Sequence, residues 1–383
     1  MKVWAILIAL ALGMALIPSC KEKSQVSSRV IVTAVGIDGV PTEGEAGENG
    51  DVRLSVQSVE PLLTSGSLTE QQDNATGVYE AEGASVADAL HTFVSLTGRS
   101  AFIMHNRVIA LGMEQAQSRT LSSLTDYFIR NHEGRPLVDV VISRTTAADL
   151  LNLKSTAFTV PAEQISMMLR EGRHRGAAVR TRLLDLERAS SGMYDVAVPI
   201  VEVGGEGEDQ TASVTGTALF RGGVYAGEAD IDATRGLLFL RGELETSPYV
   251  LELGDQGRIT AEVERASCSI RVEREGDGVR FHISVDVRAE IADETKPQKM
   301  MRENLDHINT ALSERIEADI RRAIDQSVLR SGCDVIGLER LMMQQEPELV
   351  KGSEDRWPAG LKDCSYEIEV KAVVDKFGEE AEH

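Results

Sequence analysis

The chain has 383 residues and a formal charge of −21, with 42% hydrophobic and 26% charged residues. That length exceeds one ordinary domain, and that apolar content excludes a disordered chain. A body this acidic is repelled by phosphate backbones, which excludes nucleic acid as a partner, and by anionic headgroups, so residence at a membrane calls for a specific anchor.

The chain opens on Met1-Lys2, and the fifteen residues from Val3 to Ile17 are all apolar or glycine. A bilayer-crossing helix needs roughly 20 residues, so this run is short for a span and suits the core of an export signal. Ile17-Pro18-Ser19-Cys20 follows, then Lys21-Glu22-Lys23. This stretch resembles a bacterial lipobox, in which the cysteine sulfur takes a diacylglyceryl group before cleavage. We therefore read 1–19 as a lipoprotein signal peptide, Cys20 as the lipidated residue and 20–28 as a tether. An unlipidated signal or an uncleaved anchor are the alternatives. Two or three acyl chains hold a protein durably, whereas one holds it marginally.

The pattern predicts an α+β protein of several domains, each with a mixed or antiparallel sheet packed by helices. An N-terminal α+β domain spans 29–192. Val30–Ile37 is a β-branched strand closed by Asp38-Gly39. Residues 52–60 alternate Val52, Leu54 and Val56 with Arg53, Ser55 and Gln57, as a half-buried strand does. Ser85 and Asp88 form a capping box ahead of the stripe Val86, Ala89, Leu90, Phe93 and Leu96, which Gly98 ends. A strand or tight strand pair covers 101–112. A second helix runs through Leu121, Leu124 and Phe128, and a strand covers 137–143. Short helices fall near 146–151, 161–169 and 180–189.

Beyond Gly192 the texture turns to β. A strand from Tyr194 runs into the acidic glycine loop 204–209, and a hairpin turns at Gly222-Gly223, giving a middle β-rich subdomain over 193–250. The C-terminal domain, 251–378, holds a long hairpin turning at Asp277-Gly278. It also holds a helix from about Gln298 to Ser331, whose stripe of Leu305, Ile308, Leu312, Ile316, Ile320, Ile324 and Val328 must lie on a sheet. A last strand, Tyr366–Val374, completes that sheet.

Sites of chemistry are scarce. The chain has no G-x-S-x-G elbow, H-E-x-x-H helix or phosphate-binding loop. Near-misses fail at specific positions: Pro136 stands where a second zinc histidine would follow His132, and Arg235 and Arg241 occupy the glycine and bidentate-carboxylate positions of a calcium loop starting at Asp230. The four cysteines, Cys20, Cys268, Cys333 and Cys364, include no C-x-x-C pair, and whether Cys333 bonds Cys364 stays open. No cofactor is implied. His105, with Asp38 or Asp139, is the sole candidate acid/base pair for a hydrolase. Arg170–Arg182 gathers five arginines and one histidine against one glutamate, either a solvated face or a contact for headgroups or an acidic partner.

Five stretches stand in this order: IVTAVGIDG with Gly36 and Asp38; AEGASVADALHTFVSLTGRSAFIMHNRVIALG with Gly83, Gly98, Arg99 and His105; LTDYFIRNHEGRPLVDVVIS with Arg130; GTALFRGGVYAGEADIDATRGLLFLRG with Gly216 and Phe220; and LRSGCDVIGLERLM with Asp334 and Gly337, followed by Trp357. Together they resemble the Ger(x)C lipoproteins, the C subunits of spore germinant receptors. The resemblance implies a protein without known catalysis on the outer face of the spore's inner membrane. Cys20 would hold it there, assembled with an A subunit and a permease-like B subunit. The alternative reading is an extracytoplasmic solute-binding lipoprotein of another class, which needs a cleft between two similar lobes.

Overall fold

The computed structural model describes residues 29–40, 51–59, 76–154, 158–190, 194–205, 207, 210–254, 257–276, 278–294, 305–351 and 359–377. The expected signal, Cys20 and Trp357 lie outside them.

Two sheets organise the chain. The first contains β1 (Arg29–Gly39), β2 (Val52–Val59), β3 (Thr76–Gly83), β4 (Ser100–Phe102), β5 (Val108–Gly112), β6 (Asp139–Ser143), β7 (Thr181–Arg182), β8 (Val196–Gly204), β9 (Thr211–Arg221) and β10 (Val224–Ala229). Its order is β10-β9-β8-β6-β5-β1-β2-β3, with β4 beside β1 and β7 beside β6. The centre is parallel: β1 with β4 and β5, β5 with β6, and β6 with β8. Both flanks are antiparallel.

Parallel strands need helical crossovers, and these cover both faces. One face carries α1 (Val86–Thr97), α2 (Met113–Ser118), α3 (Leu121–Arg130) and α6 (Leu183–Ser190), packed on Ile109, Leu111, Val140 and Ile142. The other carries α4 (Ala147–Leu151) and α5 (Pro161–His174), packed on Ala34, Val108, Ala110 and Val141.

This two-sided cover overturns the half-buried reading of 52–60. Ser55 and Gln57 of β2 are fully buried. Gln57 meets the cost of burial by hydrogen bonding: its Nε2 donates to the Leu151 carbonyl (2.7 Å), and its Oε1 accepts from Thr33 Oγ1 (3.1 Å) and Ala162 N (3.2 Å). The polar residue ties the sheet to the end of α4 and the start of α5.

The expected middle subdomain, 193–250, has no sheet of its own among the described residues. Its strands β8, β9 and β10 extend the first sheet, because Ile200 of β8 registers against Ile142 of β6. Its last strand, β11 (Ser247–Glu252), joins the second sheet. The Gly222-Gly223 hairpin is as expected, with φ of 54° and 82° at the turn.

The second sheet, in order β11-β12-β13-β14, adds β12 (Arg258–Glu275), β13 (Gly278–Glu294) and β14 (Ser365–Phe377). β14 runs parallel to β13. On this sheet lies α8 (Leu305–Ile324), continued by a π-helical turn over Asp325–Arg330. Its stripe Ile308, Leu312, Ile316, Ile320 and Ile324 is buried as expected, each side chain stabilising the fold by roughly 1.5–3 kcal/mol. Helix α8 also covers the free edge of β14: Asn309 Oδ1 accepts from Val374 N (2.9 Å) and Ser313 Oγ from Ala372 N (3.0 Å).

Between the sheets sits α7 (Ile231–Leu240), which the sequence reading did not place. Asp230 caps it, accepting from Ala233 N at 2.9 Å. At Gly236 a Cβ would fall inside van der Waals contact of the Asp319 carbonyl on α8, so the two helices meet backbone to backbone. Alanine in a helix ordinarily gains about 1 kcal/mol over glycine. Here Gly236→Ala is expected to destabilise instead, by about 1–3 kcal/mol through overpacking, read as a lower midpoint in urea unfolding.

Candidate functional site

Five of the residues singled out in the sequence, Gly36, Asp38, Gly83, Gly216 and Asp334, stand at joints. Asp38, at the end of β1, is nearly buried, and its carboxylate accepts from the Ala147 and Ala148 amides (2.8 and 3.0 Å) at the start of α4. Burial raises its pKa and those backbone donors oppose the rise. Two positions earlier, a Cβ on Gly36 would stand 3.0 Å from Ala147 Cβ, so glycine lets the helix seat on the strand. Gly83 likewise brings β3 against the Ala89 backbone of α1, and Gly98 ends α1 at φ 67°. Gly216 lets β9 approach the Ala229 carbonyl, and Phe220 is fully buried with its ring edge-on to Tyr225.

Asp334 repeats the design. Its carboxylate accepts from Gly337, Leu338 and Glu339 amides, each at 2.8 Å, at the start of α9 (Leu338–Gln345), with Gly337 at φ 90°. Its own amide donates to Asp195 Oδ2 (2.7 Å), while Asp195 Oδ1 accepts from Gly222 N (3.1 Å). One carboxylate thus joins the hairpin of the first sheet to the C-terminal segment. A second link is ionic. Asp319 of α8 is 1% exposed and accepts from Tyr249 Oη (2.8 Å) and Arg235 (3.3 Å), with the Arg235 guanidinium over the Tyr249 ring. Sequence reasoning missed Asp195, Arg235, Tyr249 and Asp319. It met Asp230 as a failed calcium loop, although an aspartate directly before an apolar run is also an N-cap signal.

The candidate acid/base pair does not assemble. Asp38 is committed as above. Asp139 forms a two-point ion pair with Arg180 (2.8 and 3.1 Å) and accepts from Ser166 Oγ (2.7 Å). His105 is exposed, its ring edge-on to Phe102. Arg130 is exposed and paired with Asp126 one turn back, an interaction worth little in water. Arg99 is half-buried after the α1 cap. In the basic segment, Arg170, Arg173 and Arg180 pair with Glu171, Glu243 and Asp139, which spends much of its charge inside the molecule.

Cys268, Cys333 and Cys364 are free thiols, and burial pushes Cys333 up to about 12 and Cys268 to about 11, far from a reactive thiolate. Among the described residues no group of three or more His, Cys, Asp or Glu is placed to hold a metal, and no helix is long and apolar enough to cross a membrane. A 510 Å³ cleft opens at the seam beside Arg144, Glu228, Asp230 and Gln326.

This is an α+β protein of two mixed sheets, jointed by buried carboxylates. Residues 22–203 match the spore germination protein N-terminal domain, and residues 215–378 match the C-terminal domain described as spore germination B3/GerAC like. The chain belongs to the Ger(x)C family. It is 19% identical to spore germination protein KC of Bacillus subtilis over 97% of this chain and 95% of that one. It is 22% identical to the B. subtilis spore germination protein YfkR over 67% of this chain and 66% of that one. Its fold is similar to the crystal structure of the GerBC protein, with a TM-score of 0.57 at 18% identity, covering 90% of this chain and 98% of that one.

Two outcomes are expected. Asp334→Ala leaves three helix-start amides without their acceptor and should cost about 1–2 kcal/mol in urea unfolding, more than Asp334→Asn. Burial raises the Asp319 carboxyl to about 6 in spite of its arginines. A carboxyl whose folded-state value lies above the unfolded one (about 3.9) binds its proton more tightly when folded. Its contribution is therefore greatest at low pH and falls as pH rises from about 4 through about 6. The stability of the wild type minus that of Asp319→Asn should be larger at pH 4.5 than at pH 7.5. The opposite trend would mean that the arginines hold this carboxyl below its ordinary value.

Proposed function

We propose that this chain is the lipid-anchored C subunit of a spore germinant receptor, required for nutrient-triggered germination and acting by protein contact, not by catalysis. Family membership over both halves of the chain carries the reading. The lipobox-like Ile17-Pro18-Ser19-Cys20 supplies the anchor, on the outer face of the spore's inner membrane. The committed states of Asp38, Asp139 and Asp334 support a role without acid/base chemistry. Its partners in this reading are the membrane-embedded A and B subunits. A solute-binding lipoprotein would want two similar lobes; among the described residues the sheets have ten and four strands in unlike orders.

Cys20→Ala is expected to move the protein out of the spore membrane fraction and to abolish nutrient-triggered germination. Normal fractionation and normal germination of that variant would defeat the anchoring. Purification of the tagged chain from spore membranes should bring down integral membrane proteins; recovery of the chain alone would defeat the receptor assignment.

A further inference from the structure

The described chain starts at Arg29, nine residues after Cys20. A segment of that length reaches at most about 30 Å. Under the anchored reading above, on which this inference rests, the end of the first sheet where β1 begins therefore lies close to the bilayer. The register fixes what else is there. Arg29 pairs with Ser100, so the end of α1 and the turn before β4 sit beside it. Ile31 pairs with Phe102, which places the Ile103–His105 turn alongside. Arg29 also meets Glu133 at 3.6 Å, which brings in the loop ahead of β6.

Leu96 in the last turn of α1, Met104 in the turn before β5 and Leu137 ahead of β6 are 69%, 48% and 59% exposed. Among them stand Arg29, Arg99 and Arg135, in a chain whose net charge is −21. Glu133 is taken up by Arg29, whose guanidinium also lies over the Phe102 ring. Glu163 pairs with Arg107 at 3.2 Å, and Glu80 borders the same hollow as Leu96 and Arg99. Apolar side chains with interleaved arginines suit the boundary between headgroups and acyl chains. An anionic surface repels the acidic body more strongly than this end, where each of these glutamates has an arginine beside it, which turns the molecule one way round.

We propose that this end, marked by Leu96, Met104 and Leu137 with Arg29, Arg99 and Arg135, docks on an anionic phospholipid bilayer and sets the orientation of the whole protein above it.

The mature lipidated chain, beginning at Cys20, is reconstituted on phosphatidylglycerol-containing vesicles with brominated acyl chains. Tryptophan is placed singly at Leu96, Met104 or Leu137, and for comparison at Val250 or Val373 on the second sheet. Flotation with and without Cys20→Ala reads the anchor. Quenching above that of the unsubstituted chain reads the docking. A Cys20→Ala chain held on nickel-chelating lipid through an N-terminal histidine tag gives the same readout without acylation. We expect quenching at positions 96, 104 and 137 at least twofold above that at 250 and 373. It should fall towards the comparison level in Arg99→Gln/Arg135→Gln or on purely zwitterionic vesicles. Equal quenching at all five positions, or none at 96, 104 and 137 in a chain that floats, overturns the docking and leaves the anchor standing. Loss of flotation dependence on Cys20 with quenching retained on the tagged chain overturns the anchor and leaves the docking.

Discussion

A carboxylate can leave water only if several donors meet it, and in this fold the starts of helices supply them. Asp38 takes the first amides of α4, Asp334 those of α9, and Asp230 an amide of α7. Each contact fixes a helix to the strand or loop that carries the aspartate, at an angle the helix axis dictates. Asp195 extends the device across the seam by holding Gly222 of one sheet's hairpin and Asp334 of the other unit. Without these joints the layers would still have apolar faces to bury, but no unique way to sit on each other.

The same saturation bears on how the buried acids are read. A lone buried aspartate with a raised pKa is what a general base looks like in isolation. Here the lone pairs of Asp38 and Asp334 point at amides, and those of Asp139 at Arg180 and Ser166. These three carboxylates hold the layers together.

Periodic signals were legible in the sequence. The stripe of α8, the Ser85 cap of α1 and the Gly222-Gly223 hairpin each follow from local spacing, and each stands where spacing puts it; the other half of the expected capping box differs, because Asp88 accepts from Ala84 N and not from Ser85 N. The long-range facts were not legible. Ser55 and Gln57 look solvent-facing because alternation reports polarity, yet both are buried, and for Gln57 three hydrogen-bond partners offset the cost. Helix α7 was hidden by the calcium-like spacing of Asp230 and Asp232 and by Gly236, which reads as a helix breaker and is in fact a contact point. The family glycines and aspartates were visible as a set. The roles of Gly36 and Asp38 as seat and cap needed a partner more than a hundred residues away, Ala147.

The central strand β1 is the first strand described, yet β8, β9 and β10 close the far flank of its sheet only after residue 229 has emerged. A chain interrupted in the acidic glycine loop, between β8 and β9, would present β8 with one side unpaired. Synthesis therefore delivers this protein in a vulnerable order: the early strands must wait, open to wrong pairing, for the late ones. A cut between β8 and β9 before the late strands have paired would leave the sheet with an open edge.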